Sequence, residues 1–219
     1  MTTNVRSGMA ESRQSIADWW NRTRYRLYAP VYDWGARPLE RGRKRAIERL
    51  DPRPGEHILI LGSGTGMDLE YLPTGVEVTA IDAVSAMVRR TEARGKALGI
   101  DVDARVGDAR SVPFDDDTFD AVVLHLVLSV VPDPDQVVTE SARVLDSDGR
   151  VSIYDKFVPE ESHPSLLRRA VNPAARFLFA DLNRQLEPMV ADTDLDIGER
   201  EPFLGGLYTV TIARPTGVE

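Results

Sequence analysis

Between His57 and Asp82 an apolar run, His57 to Leu61, leads into Gly62-Ser63-Gly64-Thr65-Gly66, and a second apolar run ends on Asp82. Closely spaced glycines let a backbone approach a ligand, and an acid about 20 positions further on, at the tip of the next strand, can accept both hydroxyls of a ribose. Further along, Arg105 to Ala109 reads RVGDA. An acid closing a third strand, here Asp108, can receive an adenine amino group. The chemistry this spacing implies is the grip of a nucleoside-bearing cofactor, with Gly62, Ser63, Gly64, Gly66, Asp82, Ala83, Asp108 and Ala109 as its contacts.

Such residues must be held at the ends of strands. Apolar runs predict strands near 57–61, 76–81, 101–106, 119–127 and 149–156, with helices near 66–72, 84–98 and 134–145 between them. That alternation is the pattern of a parallel sheet covered on both faces. Pro132-Asp133-Pro134 starts the third of these helices, with Asp133 or Asp135 near its N-terminus. A helical stretch after Pro164 runs to about Val190, and two extended runs, Asp194 to Pro202 and Leu207 to Ala213, flank Gly205-Gly206 as a closing hairpin.

The spacing also separates two cofactor classes. A dinucleotide fingerprint places its third glycine three positions after the second, at Met67, whereas here it comes at Gly66, giving GxGxG. With VPFDDDTFDAVV at 112–123 completing the order of blocks, the chain resembles the class I S-adenosylmethionine-dependent methyltransferases over roughly residues 25 to 157. The resemblance implies a Rossmann-like, doubly wound α/β sheet of seven strands, mostly parallel with an antiparallel last strand, and an N-terminal helical lid. It also implies that Tyr25 and Tyr32 close over the methionine part of S-adenosylmethionine and that His125 lies beside it. One position departs from the family: an acid that helps hold the methionine amino group normally stands two residues before the first glycine, and this chain has Ile60.

Composition bounds the remaining possibilities. At 219 residues the chain suits one α/β domain, residues 51–219, preceded by a helical segment, 1–50. It has no cysteine, and His57, His125 and His163 lack ligand spacing, so no metal dependence is expected. Without a long apolar run or the apolar core of a signal peptide, the chain is expected in the cytoplasm. The net charge is −8, and the lysines are Lys44, Lys96 and Lys156, the other basic residues being arginine. That surface disfavours nucleic acid as a partner and leaves the oligomeric state open. The charge is uneven: ten basic residues between Arg13 and Arg49 face Asp18, Asp33, Glu40 and Glu48, making that segment +6 and the remainder −14. The asymmetry points to an anionic partner at the N-terminal end.

Trp19, Trp20, Arg22, Arg24, Tyr25, Arg26, Leu27 and Tyr28 mix indole and phenol rings with guanidinium groups, as segments at a lipid–water interface do. The segment is read as either a helix on an anionic membrane surface, with Trp19 and Trp20 inserted at the inner face, or a lid packed over the cofactor; one helix can do both. YRLYAPVYD at 25–33, followed by Gly42-Arg43-Lys44, LSVVPDP at 128–134 and YDKF at 154–157 make the chain similar to the bacterial phospholipid N-methyltransferases that act on phosphatidylethanolamine. The similarity to the ubiquinone and menaquinone C-methyltransferases is less close. The resemblance therefore implies a lipid headgroup amine as methyl acceptor, with C- or O-methylation of a quinone or other small molecule as the alternative. A non-catalytic lipid-binding relative is the third reading.

Methyl transfer from a sulfonium is an in-line displacement, so an amine acceptor must arrive unprotonated and aligned. Candidates for taking its proton are His125, Tyr25 and Tyr154, with Tyr28 and Tyr32 nearby in the sequence, although His125 reads first as a packed or cofactor-adjacent histidine. Asp155 can hold a substrate cation or cap a strand. Arg168, with Arg169 and Arg176, can meet a phosphate or form a solvated helix face.

Overall fold

Side chains alternate along β1 (His57–Leu61): Leu59 and Leu61 join one buried apolar cluster, while Ile58 and Ile60 join the other. A strand buried on both faces belongs at the centre of a covered sheet. β1 pairs in parallel with β2 (Glu77–Asp82) on one side and with β4 (Phe119–His125) on the other; β3 (Asp101–Val106) extends the sheet beyond β2. Beyond β4 lie β5 (Leu145–Asp155), parallel to it, and β8 (Tyr208–Pro215), antiparallel to β5. With β6 (Leu195–Ile197) on the far side of β8, the order β3-β2-β1-β4-β5-β8-β6 reverses direction at β1 and β4, which places a crevice at their carboxyl ends. This is the expected Rossmann-like α/β architecture, mostly parallel with an antiparallel edge.

These features come from a computed structural model that describes residues 39–158, 181 and 183–217. Trp19, Trp20, Tyr25, Tyr28, Tyr32, Arg168, Arg169 and Arg176 lie outside the described residues, and with them the expected lid and most of the helix expected after Pro164. The described part of the N-terminal segment is α1 (Glu40–Leu50), which buries Arg43, Ala46, Ile47 and Leu50 along one face. The other helices are α2 (Ser85–Leu98), α3 (Pro134–Val144), capped by the Asp133 carboxylate accepting from Gln136 N, and the short α4 (Glu187–Val190). Among the described residues no helix is long and apolar enough to cross a membrane.

Three expected elements differ in detail. The helix near 66–72 is a 3₁₀ turn, Met67–Tyr71, because left-handed Gly66 and Pro73 leave too few residues to nucleate an α-helix. β4 stops at His125 because Leu126 turns out of the strand at φ 59°. Among the described residues the sheet contains eight strands because the expected sixth is split into β6 (Leu195–Ile197) and β7 (Glu201–Phe203), both paired with β8. Ile197 opposes Ala213 and Glu201 opposes Val210, so four steps on one side match three on the other, which is a β-bulge. Gly198 makes it possible: a Cβ there would come 2.6 Å from the Ile212 carbonyl oxygen, while Thr211 Oγ1 donates to the carbonyls of Gly198 and Glu199.

Candidate functional site

The glycine loop leaves the end of β1 with Gly62, Gly64 and Gly66 at φ 73°, 57° and 76°, a region that side-chain-bearing residues rarely adopt. Gly62 N and Ser63 N donate to Ile81 O on β2, fixing the loop to its neighbour. A Cβ on Gly62 would meet Val127 Cγ2 at 2.5 Å, so the loop and the segment after β4 close on each other without room for a side chain. Asp82 completes the turn: Oδ2 accepts from Gly64 N and Oδ1 from Val84 N, each at 2.8 Å. Burial pushes its carboxyl up from 3.8 to about 6, against the lowering effect of those two bonds.

A cleft of about 960 Å³, including its open mouth, lies above this loop. Of the expected contacts, Gly62, Gly64, Asp82, Ala83, Asp108, Ala109 and His125 line it; Ser63 and Gly66 do not. Ser63 Oγ is buried against Thr91 Oγ1, which donates to Gly64 O, and Gly66 packs on Thr91, so both shape the loop from behind. Asp108 is engaged by the Arg110 guanidinium, Nε to Oδ1 at 3.0 Å and Nη2 to Oδ2 at 2.6 Å, and by Arg110 N. An adenine amino group would have to share this carboxylate with Arg110. Two cradle positions without a β-carbon, Gly62 and Gly64, a desolvated acid at the second strand tip and an acid at the third fit an adenosine: Asp82 would hold the ribose, and Asp108 with Ala109 the adenine.

At the other end of the cleft lies a buried charge network absent from the sequence-based expectation. Arg43 of α1, which lines the cleft, donates from Nη1 to Asp68 Oδ2 at 2.5 Å. Asp68 Oδ1 meets His125 Nδ1 at 2.7 Å, and His125 Nε2 meets Ser152 Oγ at 2.9 Å. All four residues are buried. Burial would push the Asp68 carboxyl up, but the charges and hydrogen bonds of Arg43 and His125 outweigh it and hold the group well below the usual carboxylate range. A signal was available in Arg43, a charged residue at the 43, 46, 47, 50 spacing of an otherwise apolar helix face.

Of the candidate proton acceptors, Tyr25 lies outside the described residues, while His125, Tyr154 and the candidate substrate carboxylate Asp155 are buried. His125 has both ring nitrogens engaged within the network, so it presents no nitrogen to the cleft. Tyr154 does not line the cleft; its ring is fully buried against Gly42, where a Cβ would come 2.2 Å from Tyr154 Cζ. Its hydroxyl finds no hydrogen-bond partner among the described residues, and burial raises its pKa well above 10. Asp155 is also fully buried and caps backbone, accepting from Ser129 N and Lys156 N at 2.8 Å each. Leu126, which sequence reasoning overlooked, sits in the cleft wall at φ 59°, a strained conformation of the kind found at ligand sites.

Comparison with known proteins gives this geometry a family. The profile described as "Methyltransferase domain" matches residues 59–153. A phosphatidylethanolamine N-methyltransferase from Cereibacter sphaeroides is 32% identical over 84% of this chain and 92% of its own length. A demethylmenaquinone methyltransferase from Paenarthrobacter aurescens is 32% identical over 74% of this chain and 61% of its own length. A geranyl diphosphate methyltransferase solved in complex with S-adenosylmethionine superposes with a TM-score of 0.68 at 18% identity, covering 81% of this chain and 85% of that one. With the glycine loop, Asp82 and Asp108 in place on the matching fold, the chain belongs to the S-adenosylmethionine-dependent methyltransferases.

Proposed function

We propose that the chain methylates the amine of a lipid headgroup, such as that of phosphatidylethanolamine, at a membrane surface. The observation that carries this reading is extent: the phosphatidylethanolamine N-methyltransferase aligns over 92% of its length, the quinone relative over 61%. S-adenosylmethionine supplies an electrophilic methyl group on a sulfonium. Transfer would form the nitrogen–carbon bond as the carbon–sulfur bond breaks, its electron pair staying on sulfur as a thioether. This chain's part is to hold the cofactor through Asp82 and Asp108 and to admit the acceptor past Leu126. With His125 and Tyr154 both sequestered, the amine proton leaves to water or to Tyr25, Tyr28 or Tyr32 of the N-terminal segment.

A surface feature supports approach to lipid. Leu204 and Leu207 are 54% and 40% exposed in the turn between β7 and β8, around Gly205-Gly206. Thr209 pairs with Asp155, so this turn projects at the carboxyl edge of the sheet, on the same side as the cleft. Trp19, Trp20 and the basic N-terminal residues would add to the same contact, and Arg168 would meet a headgroup phosphate.

Incubation with S-adenosylmethionine and mixed vesicles of phosphatidylethanolamine and demethylmenaquinone, followed by mass spectrometry, tests the reading. Mono-, di- and trimethylated headgroups are expected. Methyl groups on the quinone ring with headgroups untouched would replace this reading with the quinone one.

A further inference from the structure

The part of the cleft wall that follows β4 is a loop, and a loop keeps its side chains in place only if its backbone groups are held. Val127, Val130 and Val131 line the cleft together with Gly62, Asp82 and Asp108. Val130 N and Val131 N both donate to Val127 O, which makes 127–131 a single helical turn. Its amide side is held by the Asp155 carboxylate, Oδ2 accepting from Ser129 N at 2.8 Å. Its carbonyl side meets Arg184: Nη1 donates to Leu128 O, and Nη2 donates to Val131 O at 2.6 Å. Asp181 N donates to Ser129 O between them. An acid at the amide end and a guanidinium at the carbonyl end match the dipole of the turn.

Arg184 is itself anchored. Val158 N donates to Arg184 O just beyond β5, and Leu186, two residues on, is buried in the core. Arg184 is not among the residues that line the cleft. We infer that Arg184 is a positioning residue for the cofactor site: its forked guanidinium spans two carbonyls of the turn from behind and keeps Val130 and Val131 against the cofactor's space. A planar fork can hold two carbonyls at once in a fixed geometry, which a single ammonium cannot. Without it the carbonyl of buried Leu128 loses this donor, and the turn keeps its binding-competent form only part of the time. Apparent cofactor affinity then falls by that fraction. Because only the cofactor is involved, the role is independent of the methyl acceptor.

The test is the affinity for S-adenosylhomocysteine, measured by calorimetry at a temperature where every variant is folded. Arg184→Met keeps the apolar stem and is expected to bind about tenfold more weakly, as when about a tenth of the molecules hold the turn. Arg184→Lys keeps the charge but reaches one carbonyl at a time, so it should lose about threefold, and it carries the test if the methionine variant does not fold. Ile212→Ala, a core change in β8 outside the cleft lining, also lowers stability but should bind within about twofold of wild type. Wild-type affinity in either folded arginine variant, or an equal loss in Ile212→Ala, would overturn the assignment.

Discussion

Asp82 and Asp68 flank the same glycine loop, yet the protein treats their charges in opposite ways. Asp82 is held by two backbone N–H groups, and burial lifts its carboxyl to about 6. Asp68 lies between Arg43 and His125 and is held well below the ordinary range. The first carboxylate is kept reactive towards hydrogen-bond donors that a ligand brings; the second is already satisfied by the protein. In the proposed reading one is a binding group with a stability cost, while the other ties α1, the loop and β4 together.

Removing each acid should separate these roles. Asp68→Ala leaves Arg43 buried without its counter-charge and should lower stability by ~3–5 kcal/mol, read by urea denaturation. Asp82→Asn keeps an acceptor for only one of the two loop amides and turns an NH2 donor on the other, so it should cost ~1–3 kcal/mol, less than the loss of Asp68. If the two variants proved equally destabilising, the contrast would be broken.

On cofactor binding the order reverses in directness. Asp82→Asn should weaken S-adenosylhomocysteine by ~1.5–3 kcal/mol through lost charge-assisted bonds to the ribose hydroxyls, measured by calorimetry.

The pH dependence sharpens the same point. Because its folded pKa is raised, Asp82 adds most to stability below about 3.8, and that contribution is lost as pH rises through about 6. Cofactor binding runs the other way, since ribose hydroxyls favour the ionised carboxylate. Affinity should fall as pH drops below about 6, and binding at pH 6 should release about half a proton, seen as a dependence of the calorimetric heat on buffer. Asp82→Asn should abolish that release. A release unchanged in the variant would assign it to another group.

The smallest effect concerns the surface. Leu204→Ser with Leu207→Ser should leave the fold and cofactor affinity intact while lowering affinity for phosphatidylethanolamine-containing vesicles about tenfold, in line with lost interfacial apolar area. Unchanged sedimentation with vesicles would remove the turn from the contact.

The same division explains what the sequence revealed. Gly62, Gly64, Asp82 and Asp108 were legible because each is fixed by a local pattern: a strand, a turn and the residue that ends the next strand. The Arg43–Asp68–His125 network spans 25 and 57 positions, and only the packing of α1 over the loop brings it together. His125 was a candidate base because it ends a strand at the ligand edge, with packing the preferred reading; which partners its two nitrogens take, Asp68 and Ser152, is a tertiary fact. The split of the sixth strand had a cue in Gly198, but a bulge depends on the partner strand as much as on the glycine.

The reading as a whole turns on the acceptor. The most direct measurement is the lipid profile of a host that makes phosphatidylethanolamine but none of its methylated derivatives, with this chain expressed in it. The appearance of methylated phosphatidylethanolamines, abolished by Asp82→Asn, is the predicted result. An unchanged phospholipid profile with new methyl groups on the host's quinones would contradict it.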